Sequence, residues 1–366
     1  MDERSLRVLA LVTDAFGGYG GIAQYNRDFL SALAVCEGVG EVIVLPCAGA
    51  RPKSALPPGV QQLYPVKSKV GYSIAALGIA QRYRPIDIVF CGHLFMAPLA
   101  AIIAKLLGAS LWVQVHGNDA WEELSGLYRK SAEMAALITS VSRYTRRRML
   151  EWVRIEPARV KILPNTVEPR FQPGPKPDYL LDRHALHGKK VLLTVSRLAA
   201  AERYKGHDRV IRVLPRVLAE HPETMFLIAG DGDDRPRLKV LAEEVRVAQN
   251  VRFLGLVSDE ELADHFRIAD VFVMPSTGEG FGIVFLEAMA SGIRVIGGNK
   301  DGSLDALGDG VFGTAINPEN GDELASAICT ALNSAPANTG GAIRFKASAF
   351  TEHLEALVWS NFIAGH

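Results

Sequence analysis

The sequence predicts an α/β fold of two doubly wound domains facing a central cleft. Three observations lead there. Short Val/Ile/Leu-rich runs alternate with segments of helical length, the pattern of parallel sheets covered on both faces. The alternation stops in the Pro-rich stretch "LPNTVEPRFQPGPKPDY" (163–179) and restarts at Lys190, which marks a linker. The 366 residues, 48% hydrophobic and 22% charged, are too many for one ordinary core and comfortable for two.

In chain order the expected strands are 7–13, 41–47, 87–92, 110–117, 137–142 and 160–165, then 190–196, 225–232, 251–255, 270–276 and 294–298. Helical segments lie between most of them, among them Gln24–Val35, Gly206–Glu220 and Arg235–Val247. The apolar region Ala97–Val115 is broken by Lys105 and Gly108 and reads as a helix followed by a strand. Residues 1–168 form one expected domain and 169–345 the second. The tail 346–366 makes a last helix. In open α/β sheets ligands bind beyond the carboxyl ends of the strands, so the cleft is the expected site.

Forty Lys and Arg balance forty Asp and Glu, which removes a global electrostatic case for nucleic-acid binding. The four cysteines, Cys36, Cys47, Cys91 and Cys329, form no C-x-x-C pair. Zinc and disulfide frameworks are therefore not expected, and a reducing cytoplasm is. The N-terminal "MDERSLRVLALV" lacks the pattern of a signal peptide, and no uncharged apolar run reaches the ~18–20 residues of a membrane span.

Five constellations carry chemistry. Gly17, Gly18, Gly20 and Gly21 separate the first strand from a helix beginning near Ile22; such a loop lets backbone approach an anion, or is simply a flexible turn. In "VSRLAAAERYKGHD", Arg197 and Lys205 lie between a strand end and a helix start and suit a diphosphate; the plain alternative is a pair of surface cations. In "TGEGFGIVFLEAMASG", Gly280 and Gly282 open a helix over Ile283–Ala290, Glu279 precedes it, and Glu287 lies one turn inside among apolar neighbours. Carboxylates on either side of a bound diphosphate would accept hydrogen bonds from sugar hydroxyls; alternatively Glu287 pairs with an Arg or a backbone amide. His116 in "VQVHGNDAW" follows a strand at the cleft side, where it is a ligand group or a structural histidine. Arg143, Arg146, Arg147 and Arg148 make a basic amphipathic helix, suited to an anionic membrane or to a solvated face.

Together these motifs resemble the retaining, nucleotide-sugar-dependent glycosyltransferases of the GT-B fold, which has two Rossmann-like domains. Within it the chain is similar to the large bacterial mannosyl- and glucosyltransferase family 4 (glycosyl transferases group 1). "EGFGIVFLE" resembles its E-x7-E signature as Glu279 and Glu287, and "SR…YKG" its diphosphate-binding pair, from Ser196–Arg197 to Lys205. "VRFLGLVSDEEL" resembles the segment whose backbone near Val257 meets the base; "GDGDD", with Gly230 and Asp231, and "ILPNTVEPRF" also match family runs. The resemblance implies that the N-terminal domain binds the acceptor and the C-terminal domain the donor. Glu287 would hold the ribose and Glu279 the sugar, and Gly280, Phe281, Gly282 and Ile283 would approach sugar and phosphates through backbone. Gly20 and Gly21 would complete the diphosphate site, and His116 would lie by the transferred sugar. The last helix would cross back to the first domain. No metal cofactor is implied, because cations and helix ends neutralise the leaving diphosphate. One departure stands out: the family's Pro-Glu pair after the strand "RVIGG" is replaced by "NKDGSLDALGDG", and Arg294 takes the place of a common Pro.

The expected reaction moves a hexose from GDP-mannose or a UDP-hexose to a saccharide or lipid-linked saccharide, with retention, in cell-surface polysaccharide synthesis. The place would be the cytoplasm, with peripheral contact at the inner face of the membrane through the arginine helix. The rivals are a nucleotide-sugar epimerase of similar fold, a sugar phosphorylase, and a non-catalytic subunit that binds nucleotide-sugar.

Overall fold

The structure is a computed structural model that describes residues 5–52, 55–334 and 345–364. The chain divides into two compact units, Met1–Thr166 with Ala347–His366, and Val167–Lys346.

Among the described residues the first unit holds seven strands: β1 (Leu6–Val12), β2 (Val39–Pro46), β3 (Val60–Gln62), β4 (Ile88–Cys91), β5 (Ser110–Val115), β6 (Leu137–Ser140) and β7 (Val160–Ile162). They pair in parallel in the order β3-β2-β1-β4-β5-β6-β7. Val8–Val12, β4 and β6 are buried at every position, because helices cover both faces and neither needs polar residues. The helices end where the sequence supplies caps. Ser68 and Ser142 accept from Gly71 and Thr145 amides at helix starts, and Gly108 closes Ala97–Leu107 in the left-handed conformation.

The second unit has β8 (Lys190–Val195), β9 (Thr224–Ala229), β10 (Val251–Gly255), β11 (Val271–Met274), β12 (Arg294–Gly298) and β13 (Thr314–Ile316), also parallel, in the order β10-β9-β8-β11-β12-β13. In each sheet, therefore, the order reverses beside its first strand: between β1 and β4, and between β8 and β11. That reversal is the point where doubly wound sheets open a crevice for a ligand.

The last helix, Ala347–Val358, belongs to the first unit and packs on the helix Gly21–Leu33. The Phe350 ring meets Tyr25 edge-on at 6.3 Å, and Phe362 meets Trp112 at 5.3 Å. Residues 365–366 of the expected tail helix, and the expected domain end at 345 with its preceding segment 335–344, border or lie outside the described residues. The two strands not expected from sequence, β3 and β13, are three residues long and lie at sheet edges. Too short for a hydrophobic run and paired on one side only, they carry no pattern to read.

Candidate functional site

Every expected donor residue except Gly20, Gly21 and His116 falls in the second unit. Ser196, Arg197 and Lys205 follow β8, Gly230 and Asp231 follow β9, Val257 follows β10, and Glu279–Gly282 follow β11. The loops after β8 and β11 flank the reversal, and there the charges meet. Lys205 Nζ is 2.5 Å from Glu279 Oε1 and 3.9 Å from Glu202 Oε2, while Arg197 pairs with Glu202. Lys205 and Glu279 are both largely buried. Burial opposes the Lys205 charge, but Glu279, with Tyr204 and Glu202 adding, outweighs it, so its pKa is raised. Ser196 Oγ shares a hydrogen bond of 2.7 Å with His207 Nε2. Burial and then the Lys205 charge push His207 down to about 4, so this imidazole is neutral.

Glycines set the loop geometry. Gly282 adopts φ 87° and opens the helix Ile283–Ala290, whose first turn has no side-chain cap and so keeps amides available for an anion. A Cβ at Gly230 would stand 1.8 Å from the Ser196 carbonyl oxygen, and one at Gly232 2.3 Å from that of Leu198. The "GDG" run is therefore glycine because the loop after β9 lies directly against the loop that carries Arg197. Asp231 and Asp233 have the D-x-D spacing of many metal sites, yet both serve the loops: Asp231 accepts from the Gly232 amide and pairs with Arg235, and Asp233 accepts from the Ala200 amide. Phe281 is buried, with its ring 5.7 Å from Phe345. Glu287 is half-buried on this apolar helix, with Phe285, Leu286, Ala288, Met289 and Ala290 buried around it.

Sequence reading missed Asp301. This carboxylate, 2% exposed, accepts from Ser276 Oγ at 2.6 Å and the Glu279 amide at 2.6 Å through Oδ2, and from the Ser303 amide at 2.9 Å through Oδ1. The Gly302 amide donates to the Glu279 carbonyl at 2.8 Å, and a Cβ there would stand 2.0 Å from the Gly280 carbonyl oxygen. The loop "NKDGSLD" thus braces the Glu279 loop from behind. Its only signal in the sequence was the departure from the family pattern. Glu202 and His207 were also missed, since neither belongs to a recognisable spacing.

In the first unit, Gly20 and Gly21 follow β1 and His116 follows β5. Gly20 has φ 90° and caps the helix Gly21–Leu33. Gly17 and Gly18 are needed for space: Cβ atoms there would meet the Ala50 carbonyl and the Asp14 carboxylate. His116 donates from Nε2 to the Gly92 carbonyl at 2.9 Å, its amide donates to Asp119, and Tyr25 stacks edge-on at 5.0 Å. Burial, reinforced by His93 and opposed by Asp119 and the Gly92 carbonyl, lowers its pKa, so Nδ1 remains an acceptor. Arg146 donates to the carbonyls of Val160 and Pro157, and Arg148 to that of Trp121, so two of the four arginines on the helix Arg143–Leu150 tie the domain's own backbone together. Arg147 lies over the Tyr144 ring.

The family model described as Glycosyltransferase Family 4 matches residues 19–171, and that described as Glycosyl transferases group 1 matches residues 181–340. The chain belongs to this family of glycosyltransferases. A GDP-mannose-dependent alpha-(1-6)-phosphatidylinositol monomannoside mannosyltransferase of Mycolicibacterium smegmatis is 33% identical over 63% of this chain and 64% of its own length. The chain thus matches less than two thirds of the length of such relatives. A monoacylated-substrate counterpart from Corynebacterium glutamicum is 29% identical over 90% of this chain and 89% of its own. Anabaena Alr3699/HepE in complex with UDP-glucose superposes with a TM-score of 0.76 at 19% identity, covering 97% of this chain and 100% of that one. The fold of this family 4 chain is GT-B, two doubly wound parallel sheets in one polypeptide. No helix among its described residues is long and apolar enough to cross a membrane.

Proposed function

We propose that this chain is a retaining, metal-independent hexosyltransferase, with GDP-mannose the first donor to test and UDP-hexoses next. The acceptor is a saccharide or lipid-linked saccharide of cell-surface polysaccharide synthesis. The observation that carries this reading is the cluster at the β8/β11 reversal: two cations and Glu279 beside the uncapped start of the helix Ile283–Ala290, with Glu287 one turn inside it. The GDP-mannose-dependent relatives named above favour mannose.

In this reading Arg197, Lys205 and the amides of Gly282 and Ile283 hold the diphosphate, Glu287 the ribose hydroxyls, and Val257 backbone the base. Donor binding draws Lys205 from Glu279 towards phosphate, which frees Glu279 to accept from the sugar hydroxyls. The C1–O bond to the diphosphate breaks as the acceptor oxygen bonds to C1 from the same face. The acceptor's proton passes to the departing phosphate oxygen, and the leaving charge falls on preorganised cations, the term that usually dominates such catalysis. Peripheral contact with an anionic membrane is part of the proposal. The test is calorimetric binding of GDP, UDP, ADP and dTDP without added metal to wild type and Glu287→Ala, followed by turnover with the matching sugar donor and NMR of the product anomer. One nucleotide that binds, a weakened mutant and a retained anomer support the reading. Nucleotide binding without transfer points to a non-catalytic subunit, and epimerised donor without acceptor to an epimerase.

A further inference from the structure

Two neighbouring helices of the first unit each leave a row of large apolar side chains facing outward. Lys69–Arg82 buries Tyr72, Ala76 and Ala80 against the sheet, and Ala97–Leu107 buries mainly alanines. Outward point Val70, Ile74 and Leu77 from the first, at the i, i+4, i+7 spacing of one helix face, and Ile102 and Leu106 from the second. Ile74 is 67% exposed and Leu106 63%. The Arg84 guanidinium reaches the Leu106 carbonyl at 3.4 Å and links the ends of the two helices. Scattered exposed leucines need no explanation, but such rows on two adjacent helices do.

The charge around this face is equally one-sided. Residues 48–118 contain seven Lys and Arg and one acid, Asp87, within a chain whose forty cations and forty acids balance as a whole. Asp87 takes the Arg7 amide at 2.8 Å within the sheet. Lys67, Lys69, Arg82, Arg84 and Lys105 are all exposed on or beside the two helices. A protein partner would be met by a rim of mixed sign. An apolar face rimmed by cations alone matches acyl chains beneath anionic headgroups.

We propose that the helix pair Lys69–Arg82 and Ala97–Leu107 docks this chain on an anionic lipid bilayer, inserting Val70, Ile74, Leu77, Ile102 and Leu106 between headgroups held by the surrounding Lys and Arg. This face is separate from the arginine helix Arg143–Leu150, and the inference does not depend on the transferase reading.

The test is co-sedimentation of the full chain with vesicles of phosphatidylcholine alone and of phosphatidylcholine with about 30% phosphatidylglycerol. The expected result is binding to the anionic vesicles that weakens with salt and is far smaller with phosphatidylcholine alone. Ile74→Asp with Leu106→Asp should lower the partition coefficient about tenfold or more, since two apolar side chains leave the interface. Lys67→Glu with Lys69→Glu should remove the preference for the anionic lipid, while Arg143→Glu with Arg147→Glu should leave binding nearly unchanged. Nucleoside diphosphate affinity, read in parallel, should stay at wild type in every variant, which separates lost docking from lost folding and from failure of the donor site. The milder pair Ile74→Ser with Leu106→Ser repeats the measurement should the aspartates unfold the chain. Absence of wild-type binding to anionic vesicles, undiminished binding by the Asp pair, or a wild-type dimer that the Asp pair dissociates without any vesicle binding would each overturn the proposal.

Discussion

The ion pair between Lys205 and Glu279 is tested by a double-mutant cycle: Lys205→Met, Glu279→Gln and both together. At an effective dielectric of about 20, unit charges 2.5 Å apart attract by roughly 6–7 kcal/mol. Burying both ions takes back several kcal/mol, which leaves a coupling of about 2 kcal/mol, the range of a charge-assisted hydrogen bond. The pKa of Lys205 is raised on folding, so its contribution is fully present below the unfolded value, 10.5, and is lost as pH rises through the folded one. Thermal unfolding at pH 7 should therefore give single-mutant losses whose sum exceeds that of the double mutant by about 2 kcal/mol. The same variants separate the ligand roles. Lys205→Met should weaken nucleoside diphosphate binding about tenfold or more. Glu279→Gln should leave it equal or tighter, because it frees Lys205 and removes a negative charge beside the anion site. Additive stability losses to within about 0.5 kcal/mol would refute the coupling. Weaker diphosphate binding by Glu279→Gln would refute the exchange of partners.

Glu202→Gln should tighten nucleoside diphosphate binding severalfold in calorimetry, since its carboxylate competes with phosphate for Arg197 and Lys205. His207 is neutral when folded, with a pKa lowered from 6.5 to about 4, so the unfolded chain binds the extra proton; stability should fall as pH drops from about 6.5 towards 4, and His207→Gln should flatten that slope in pH-dependent melts. Gly230→Ala forces a Cβ to 1.8 Å from the Ser196 carbonyl oxygen and should lower the melting temperature by several degrees and diphosphate affinity with it; an unchanged melt would contradict the close packing of the two loops.

Much of this molecule was legible in one sequence because its strands are buried on both faces. β4 is a continuous apolar run, and the expected strands overran the observed ones mainly at their carboxyl ends. Those overrun residues are the ones that leave the sheet to make site loops: Ser196 after β8, Gly230 after β9 and Ser276 after β11. The spacing from Glu279 to Glu287 was readable because one short loop and the helix it opens hold the two ends of the motif close in sequence. Asp301 and Glu202 were not, since a carboxylate that braces a loop through space has no periodicity. The metal-like spacing of Asp231 and Asp233 shows the converse, a pattern whose meaning depends on which amide each carboxylate meets.

The chain's own pattern determined the two doubly wound units, the restart beyond residue 179 and the residue types gathered at the strand ends, because burial and helix start signals are local or periodic. Tertiary structure decided which cation faces which carboxylate. It set Lys205 against Glu279, Arg197 against Glu202 and Asp301 behind the Glu279 loop. It also turned Val70, Ile74, Leu77, Ile102 and Leu106 of two helices outward, while the alanines of those helices packed inward. Hydrophobicity in a sequence states that a side chain avoids water; only the packed sheet determines which face of a helix is left to avoid it some other way.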